Sequence, residues 1–180
     1  MKIQTFEERK ALILIELRGY KLIKREEQED GINFMVKLPR GKAVIVCILN
    51  RKAVGVAFVR ELRKFMDIIG LEKGVIVANA RYTFASKREA RKYGIELIPR
   101  CFPAFNIFKH KLVPKHETLP PGKAKDLLEK HHIKPYQLPR IKASDVAVIA
   151  IGGKPGDIIK VTRKSLTAGK HIAYRFVAPR

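Results

Sequence analysis

The sequence contains only two cysteines, Cys47 and Cys101, which lie far apart in the chain. Two isolated cysteines offer no disulfide framework, so the pattern predicts free thiols in an intracellular protein. No apolar run approaches the roughly 18 residues that a membrane-spanning helix needs. The first ten residues, MKIQTFEERK, also lack the apolar segment of a secretory signal. The sequence therefore predicts no membrane partner.

Acidic residues are also scarce. The 180 residues include 17 aspartates and glutamates against 38 lysines and arginines, for a net charge of +21. This excess predicts attraction to polyanions, either nucleic acid or an acidic protein surface. Residues 1–108 carry +10 and residues 109–180 carry +11, so the basicity belongs to both parts. Because 46% of the residues are apolar, the composition favours a folded core and excludes a disordered chain.

Histidine is absent before residue 110, whereas the rest of the chain contains five. Proline usage changes near residue 100 as well, in the run IPRCFPAFNIFKHKLVP, which has no clean helical or strand period. A proline-rich stretch without period is typical of a domain junction. We therefore expect one domain over residues 1–105 and a second over residues 109–180.

The first part alternates between helix and strand patterns. Thr5 with Glu8, and Ser86 with Glu89, form capping-box patterns that predict two helix starts. Apolar residues recur at helical spacing in GVAFVRELRKFMDIIG. The segments GINFMVKL, KAVIVCIL, GVIVANA and IELI favour strands, and the second is apolar on both faces like a central strand. This order predicts a three-layer α/β/α domain with crossover helices.

The stretch VGVAFVRELRKFMDIIGLEKGVIVANARYTFASKREARKYGIELI resembles the restriction-endonuclease-like fold, notably the Mrr-like nucleases. The resemblance implies a Mg²⁺ site formed by an aspartate and a Glu-x-Lys pair on the central strand, since Mg²⁺ prefers hard oxygen ligands. We place the glutamate position at Cys47 and the lysine position at Leu49, with Glu29 and Asp30 upstream. Because neither strand residue supplies that chemistry, we expect a catalytically inactive domain without a metal.

The segment ARYTFASKREARK concentrates positive charge near a predicted helix N-terminus. Backbone N–H groups and the helix dipole at such a position suit a phosphate. The candidate nucleic-acid-binding residues are Arg81, Thr83, Lys87, Arg88 and Arg91. A solvated basic face on a basic protein explains the same pattern equally well.

The second part combines a short helix with several strands. PGKAKDLLEKHH predicts the helix, with Pro120 and Pro121 at its start, and DVAVIAIGG is an apolar run ended by two glycines. Pro155 followed by Gly156 predicts a type II turn, and TAG predicts another turn. DIIKVTR and KHIAYRFV favour strands. We expect a small α+β domain with a sheet of antiparallel character.

The segment HKLVPKHETL contains His110 and His116, for which three explanations are open. A zinc site needs four close ligands, and only Cys101 is near enough in sequence to be considered a third. A catalytic role lacks a motif, because Ser144 and Asp145 stand in no recognisable nucleophile context. Histidines that brace a turn through hydrogen bonds are favoured, so no metal site is expected.

Five motifs occur in order over about 70 residues of the second part: HKLVPKHETL, QLPRI, SD, GGKPGDIIKVTR and TAGKHIAYRFV. They resemble the assembly domain of the fifth common subunit of archaeal and eukaryotic RNA polymerases. In eukaryotic members an N-terminal jaw domain with an endonuclease-like fold precedes it, and the first part resembles that jaw. The resemblance implies interface or structural roles for His110, Pro114, His116, Pro139, Gly156, Gly169, Tyr174 and Arg175.

The resemblance implies a non-catalytic subunit of a multisubunit DNA-directed RNA polymerase. The second domain would dock on the largest subunit of this hetero-oligomer, and the first would form part of the lower jaw, with phosphate contacts to downstream double-stranded DNA. No cofactor is expected, because nucleotidyl transfer and its Mg²⁺ belong to the large catalytic subunits. The small, basic chain favours an archaeal, cytoplasmic protein, whereas a eukaryotic one would be nuclear.

Two alternatives remain open from the sequence. One is a free-standing Mrr-like DNA-binding or nuclease-related protein with an added basic domain. The other is a basic nucleic-acid-binding module that acts outside polymerase.

Overall fold

The computed structural model describes residues 5–28, 31–38, 41–49, 51–165 and 169–178. The chain divides into two compact units, an N-terminal unit of residues 1–105 and a C-terminal unit of residues 106–180. Each unit has its own sheet. Among the described residues, no helix is long and apolar enough to cross a membrane.

The N-terminal unit is a five-stranded sheet with helices on both faces, which confirms the predicted α/β/α class. Its elements are α1 (Phe6–Leu17), β1 (Lys21–Gln28), β2 (Gly31–Lys37), β3 (Lys42–Ile48), β4 (Ala53–Val54), α2 (Val56–Ile69), β5 (Lys73–Ala78), β6 (Arg81–Tyr82), α3 (Phe84–Tyr93) and β7 (Glu96–Ile98). The sheet order is β1-β2-β3-β5-β7, antiparallel from β1 to β3 and parallel from β3 to β7. The parallel strands require crossovers, which contain α2 and α3. β4 and β6 pair as a separate ribbon.

Strand β3 lies at the centre of this unit and is buried on both faces. Val44 and Ile48 pack with Leu62 and Met66 of α2. The Cys47 thiol lies on the other face, against the backbone carbonyl oxygen of residue 7 in α1 at 3.7 Å. Because successive side chains of a strand point to opposite faces, a strand covered on both sides has an almost continuous apolar sequence.

Helix α1 begins where the sequence predicts. The Thr5 hydroxyl oxygen accepts a hydrogen bond from the Glu8 backbone N–H at 3.2 Å. The Glu8 carboxylate also forms an ion pair with Arg25 of β1 at 2.9 Å. After the last turn, the Arg18 guanidinium donates two hydrogen bonds to the Glu96 carboxylate of β7, at 2.6 and 2.8 Å. These two ion pairs attach α1 to both edge strands of the sheet.

Helix α3 begins one turn earlier than predicted. Its N-cap is Thr83, whose side chain accepts a hydrogen bond from the Ser86 backbone N–H at 3.2 Å. Ser86 itself is fully buried inside the helix, and its hydroxyl donates to the Val54 carbonyl oxygen of β4 at 3.0 Å. The capping box predicted for Ser86 and Glu89 is therefore wrong. Thr83 offers an equivalent cap three residues earlier, and the contact of Ser86 with β4 decides between them.

The C-terminal unit is a four-stranded sheet with helices, which confirms the predicted small α+β class. Its elements are β8 (Lys115–Thr118), α4 (Pro121–Lys130), β9 (Arg140–Lys142), α5 (Val146–Ile151), β10 (Ile158–Ser165) and β11 (Gly169–Ala178). The sheet order is β8-β10-β11-β9, antiparallel except that β9 runs parallel to β11. Its core joins Val148 of α5 to Ile159, Val161 and Val177 of the sheet.

Two sharp turns bring the segments of this unit together. The Asp157 N–H donates to the Lys154 carbonyl oxygen at 3.0 Å, and Gly156 has a φ of +96°. A type II turn needs this positive φ at its third residue, so the Pro155–Gly156 prediction is confirmed. In the predicted TAG turn, residues 167 and 168 lie outside the described residues, and Gly169 begins β11 with a φ of +65°.

We predict that Gly31→Ala destabilises the protein by about 1–3 kcal/mol, the usual cost of overpacking. An added methyl group at Gly31 would overlap the backbone carbonyl oxygen of Cys47 in the neighbouring strand. Both residues belong to a continuous antiparallel ladder, which prevents either backbone from moving away alone. Urea unfolding of the full chain measures the effect.

Gly122→Ala is the matched control for this substitution. Gly122 lies in α4, and an added methyl group there meets nothing within 4 Å. We expect this variant to be more stable by about 0.4–1 kcal/mol, because alanine restricts the unfolded chain. If both variants unfolded at the same urea concentration, the close approach of β2 to β3 would be refuted.

Candidate functional site

A pocket of about 470 Å³ opens beside β2 and β3, on the side of the sheet that faces α2. We name it the β2–β3 pocket; its lining includes Asn33, Val46, Ile48, Phe58, Glu61 and Phe65. Asn33 is 6% exposed, and its Oδ1 has no hydrogen-bond partner among the described residues. A buried polar atom without a partner costs about 1–3 kcal/mol. The burial of Asn33 is therefore not explained by core packing, which makes it a candidate residue of a functional site.

The strand register shows which β3 side chains lie on the same face as Asn33. Val46 lies directly opposite Asn33, and Ile48, two residues on, shares its face. A Glu-x-Lys pair whose side chains lie beside Asn33 would therefore occupy positions 46 and 48. The Cys47 thiol lies on the α1 face, so the positions proposed from the sequence, Cys47 and Leu49, do not share the face of Asn33. A one-residue shift in a strand exchanges its two faces.

The side chains found at these positions do not favour metal binding. Val46 and Ile48 carry only hydrocarbon, whereas Mg²⁺ needs oxygen ligands. Burial, followed by the charges of Glu8 and Glu7, raises the pKa of the Cys47 thiol. The thiol is therefore protonated at neutral pH and is not the thiolate that binds metals.

Asn33 is a residue that the sequence analysis missed. The available signal was one polar residue inside the apolar strand GINFMVKL. Glu29 and Asp30, the two carboxylates considered from the sequence, lie outside the described residues. In the part of the chain that the structure describes, no three His, Cys, Asp or Glu side chains come together to hold a metal ion.

The predicted nucleic-acid-binding residues lie on β6 and α3. Arg81 is exposed on β6, and Lys87, Arg88 and Arg91 are exposed on α3. The three helix residues follow Phe84 at spacings of three, four and seven, so all four share one face of the helix. Phe84 itself is 82% exposed. We name these residues the α3 surface: Arg81, Thr83, Phe84, Lys87, Arg88 and Arg91. The Thr83 side chain caps the helix.

The two histidines of HKLVPKHETL form local hydrogen bonds. His110 Nδ1 accepts from the Leu112 backbone N–H at 3.2 Å, which requires an unprotonated Nδ1. His116 Nδ1 lies 2.8 Å from the Pro114 carbonyl oxygen, and since a carbonyl only accepts, this Nδ1 carries the proton. The His116 ring also contacts the Phe108 ring, with centroids 5.8 Å apart. Their proposed bracing role is consistent with these contacts.

A second pocket, of about 500 Å³, lies in the C-terminal unit and is strongly basic. We name it the arginine cleft; its charged and titratable lining residues are Arg140, Lys142, Arg163, Arg175, His116 and Asp145. It brings together three of the residues singled out from the sequence, namely Pro114, His116 and Arg175. Asp145 supplies the one carboxylate among these lining residues, and its Oδ1 caps α5 by accepting from the Ala147 N–H at 2.8 Å.

The other predicted interface residues lie outside the arginine cleft. The Pro139 carbonyl oxygen accepts from the Phe176 N–H at 2.9 Å, and the Gly156 N–H donates to the Val177 carbonyl oxygen at 3.0 Å. Tyr174 lines a different pocket beside α4. These contacts hold the sheet and its turns together, while the interface roles remain predictions.

Comparison with known proteins identifies the two parts of the chain separately. Residues 105–177 match the family model "RNA polymerase Rpb5, C-terminal domain", and residues 1–101 match the Mrr-type family model "Restriction endonuclease". Among solved structures, the DNA modification-dependent restriction endonuclease AspBHI is similar at 16% identity and a TM-score of 0.38, over 51% of this chain and 28% of that chain. That structural likeness is too small to add to the family match.

Archaeal relatives match with high identity. The chain is 62% identical over 73 residues to the DNA-directed RNA polymerase subunit Rpo5 of Pyrococcus abyssi and 59% identical over 73 residues to that of Pyrococcus horikoshii. Each match covers 41% of this chain and 89% of the relative. The Rpo5 of Staphylothermus marinus is 58% identical over 72 residues, which cover 40% of this chain and 79% of that protein.

These matches show that the chain belongs to two families, the restriction endonuclease family of Mrr type through residues 1–101 and the Rpb5 C-terminal-domain family of archaeal RNA polymerase subunit Rpo5 through residues 105–177.

Proposed function

We propose that this protein is a non-catalytic subunit of a multisubunit DNA-directed RNA polymerase, docked on the largest subunit through its C-terminal unit. The observation that carries the proposal is the high identity to nearly the whole length of archaeal Rpo5. Because the match spans nearly the whole relative, it supports a C-terminal unit that corresponds to an entire Rpo5 subunit. The N-terminal unit is then an addition to it. The protein would act where an archaeal polymerase acts, in the cytoplasm.

The N-terminal unit would form part of the lower jaw of this polymerase, beside downstream double-stranded DNA. The support is the α3 surface, where Lys87, Arg88 and Arg91 share one exposed helix face with Arg81 nearby in the chain. Lysine and arginine side chains hydrogen-bond phosphate oxygens, and these contacts carry no sequence information. Such contacts would hold DNA without selecting its sequence.

The N-terminal unit would not cleave DNA, although it belongs to a nuclease family. The support is the lining of the β2–β3 pocket, where hydrocarbon side chains at Val46 and Ile48 stand beside the neutral amide of Asn33. A Mg²⁺-dependent nuclease needs carboxylate oxygens for the metal and a cation for the developing phosphate charge. The alternative, a free-standing Mrr-like nuclease-related protein, is favoured only by the family match of residues 1–101.

We predict that the tagged full-length chain recovers two very large polymerase subunits, in near-equal amounts, from a native extract of its source cells. The recovery should survive both nuclease treatment and a high-salt wash, because a docked subunit is held by a specific interface. Mass spectrometry of the bound proteins is the measurement. Recovery of nucleic acid alone, lost at high salt, would instead identify a basic module outside polymerase.

We predict that the purified chain leaves supercoiled plasmid DNA intact in the presence of Mg²⁺, because Val46 and Ile48 supply neither a carboxylate nor a cation on the β3 side of the pocket and Glu61 is the one carboxylate among its described lining residues. Agarose gel electrophoresis follows the conversion to nicked or linear forms. The comparison is with Asn33→Leu, which alters the pocket lining. Mg²⁺-dependent cleavage by the purified wild type would refute the proposal, and its loss in Asn33→Leu would assign the activity to this pocket.

We predict that Arg81→Ala combined with Lys87→Ala lowers the salt dependence of duplex DNA binding. Each neutralised phosphate contributes about 0.9 to the slope of log affinity against log salt, so the loss of two contacts reduces the slope by about 1.8. Fluorescence anisotropy at several salt concentrations measures it, with unrelated DNA sequences giving the same value.

Lys37→Ala with Lys42→Ala is the matched control for that experiment. Both lysines are exposed and directly paired at the end of β2 and the start of β3, at the opposite end of the parallel strands from Arg81. The control removes the same total charge, so its slope should stay near that of the wild type. Equal slopes for the two double variants would show that the α3 surface makes no special contact with DNA.

A further inference from the structure

The arginine cleft has the charge of a site for carboxylate side chains. We propose that it binds an acidic segment of the largest polymerase subunit, with its arginines paired to aspartate or glutamate side chains. The identity of the partner rests on the proposed function. The chemistry of the segment rests on the cleft itself.

The arginines of the cleft have no ion-pair partner among the residues that the structure describes. No carboxylate lies within ion-pair distance of Arg140, Arg163 or Arg175 in the part of the chain that the structure describes. Elsewhere in the same unit, Lys115 forms an ion pair at 2.6 Å with Glu117, two residues along the same strand β8. The one lining carboxylate, that of Asp145, already caps α5. The cleft therefore carries an excess of positive charge that an external anion would balance.

Strand register brings Arg163, Arg175 and His116 to one side of the sheet, whereas Arg140 pairs with Phe176 and lines the cleft from the edge strand β9. Val161 of β10 pairs with His116 of β8, and Ile159 pairs with Arg175 of β11. Directly paired residues share a face, as do residues two apart along a strand. Arg163, two residues beyond Val161, consequently lies on the same face as His116 and Arg175. A guanidinium presents a planar set of N–H donors that fits a carboxylate with two parallel hydrogen bonds.

The apolar part of the lining favours a protein side chain over a duplex phosphate. The cleft is an open depression of about 500 Å³, and Pro114, Ile141 and Val161 contribute to its walls. These apolar groups suit the methylene stem of a glutamate or aspartate beneath its charged head. Duplex DNA instead presents its charge on phosphates, one per roughly 1.7 Å of axis, and these have no apolar stem to place against such walls. We therefore assign nucleic acid to the α3 surface and an acidic protein segment to the arginine cleft.

The test compares two charge-reversed variants of the tagged full-length chain, each expressed in the source cells. Arg140→Glu with Arg163→Glu reverses two exposed residues of the cleft. Lys123→Glu with Lys154→Glu makes the same charge change at exposed residues outside it. After nuclease treatment, the large polymerase subunits recovered with each chain are quantified by mass spectrometry. We expect the cleft variant to recover at least tenfold less than the wild type, and the control variant to recover an amount close to the wild type.

The outcomes separate this inference from the proposed function. If the wild type and the cleft variant recover the large subunits equally, the inference is overturned while the polymerase assignment stands. If both variants lose recovery equally, total charge is responsible and the cleft is not the site. If nuclease treatment abolishes recovery by the wild type, the occupant is nucleic acid and the inference is wrong. If the wild type never recovers a polymerase subunit, both proposals fall.

A folding control accompanies the variants. Their circular dichroism melting curves should superimpose on that of the wild type, because both cleft residues are exposed. If the reversed cleft variant melts early, Arg140→Gln with Arg163→Gln replaces it, since neutral amides remove the ionic pairing without adding repulsion. Wild-type recovery of the large subunits by that neutral variant would equally overturn the inference.

Discussion

The burial of β3 on both faces is the constraint on which the N-terminal unit depends. A strand that is apolar on both faces is stable only when helices cover both sides of the sheet. Leaving one face in water would forfeit the hydrophobic free energy that burying it provides. Helix α1 covers one side and α2 the other. The same arrangement determines which β3 side chains face α2, and those side chains line the β2–β3 pocket beside Asn33.

Charge has two different uses in this protein. Inside the N-terminal unit, the Glu8–Arg25 and Arg18–Glu96 pairs attach α1 to the edge strands, at distances of 2.6 to 2.9 Å. At the α3 surface and in the arginine cleft, exposed cations instead gather without an ion pair among the described residues. A chain with a net charge of +21 cannot neutralise all of its cations internally. Where the unpaired ones cluster, they are available to an anion from outside the chain.

The union of a nuclease-family unit with a polymerase-subunit unit is physically reasonable because each unit has its own core. The α2–α3 cluster is built from residues of the N-terminal unit, and the cluster around Val148 and Ile159 from residues of the C-terminal unit. Hydrocarbon side chains at Val46 and Ile48 are compatible with such a core, because both lie against the α2 side of the sheet.

The sequence by itself determined the two fold classes, the α1 N-cap at Thr5, the Pro155–Gly156 turn and the family of each part, because these depend on local patterns that leave one solution. It did not determine the start of α3, since Thr83 and Ser86 offer similar caps one turn apart, and only the contact of Ser86 with the Val54 carbonyl decides between them. Nor did it determine which β3 residues face the β2–β3 pocket. An apolar strand shows no alternation, so its phase is set only when β2 pairs with it and places Val46 opposite Asn33. The arginine cleft arose in the same way: its residues are distant in sequence, and only the pairing of β8, β10, β11 and β9 brings them together.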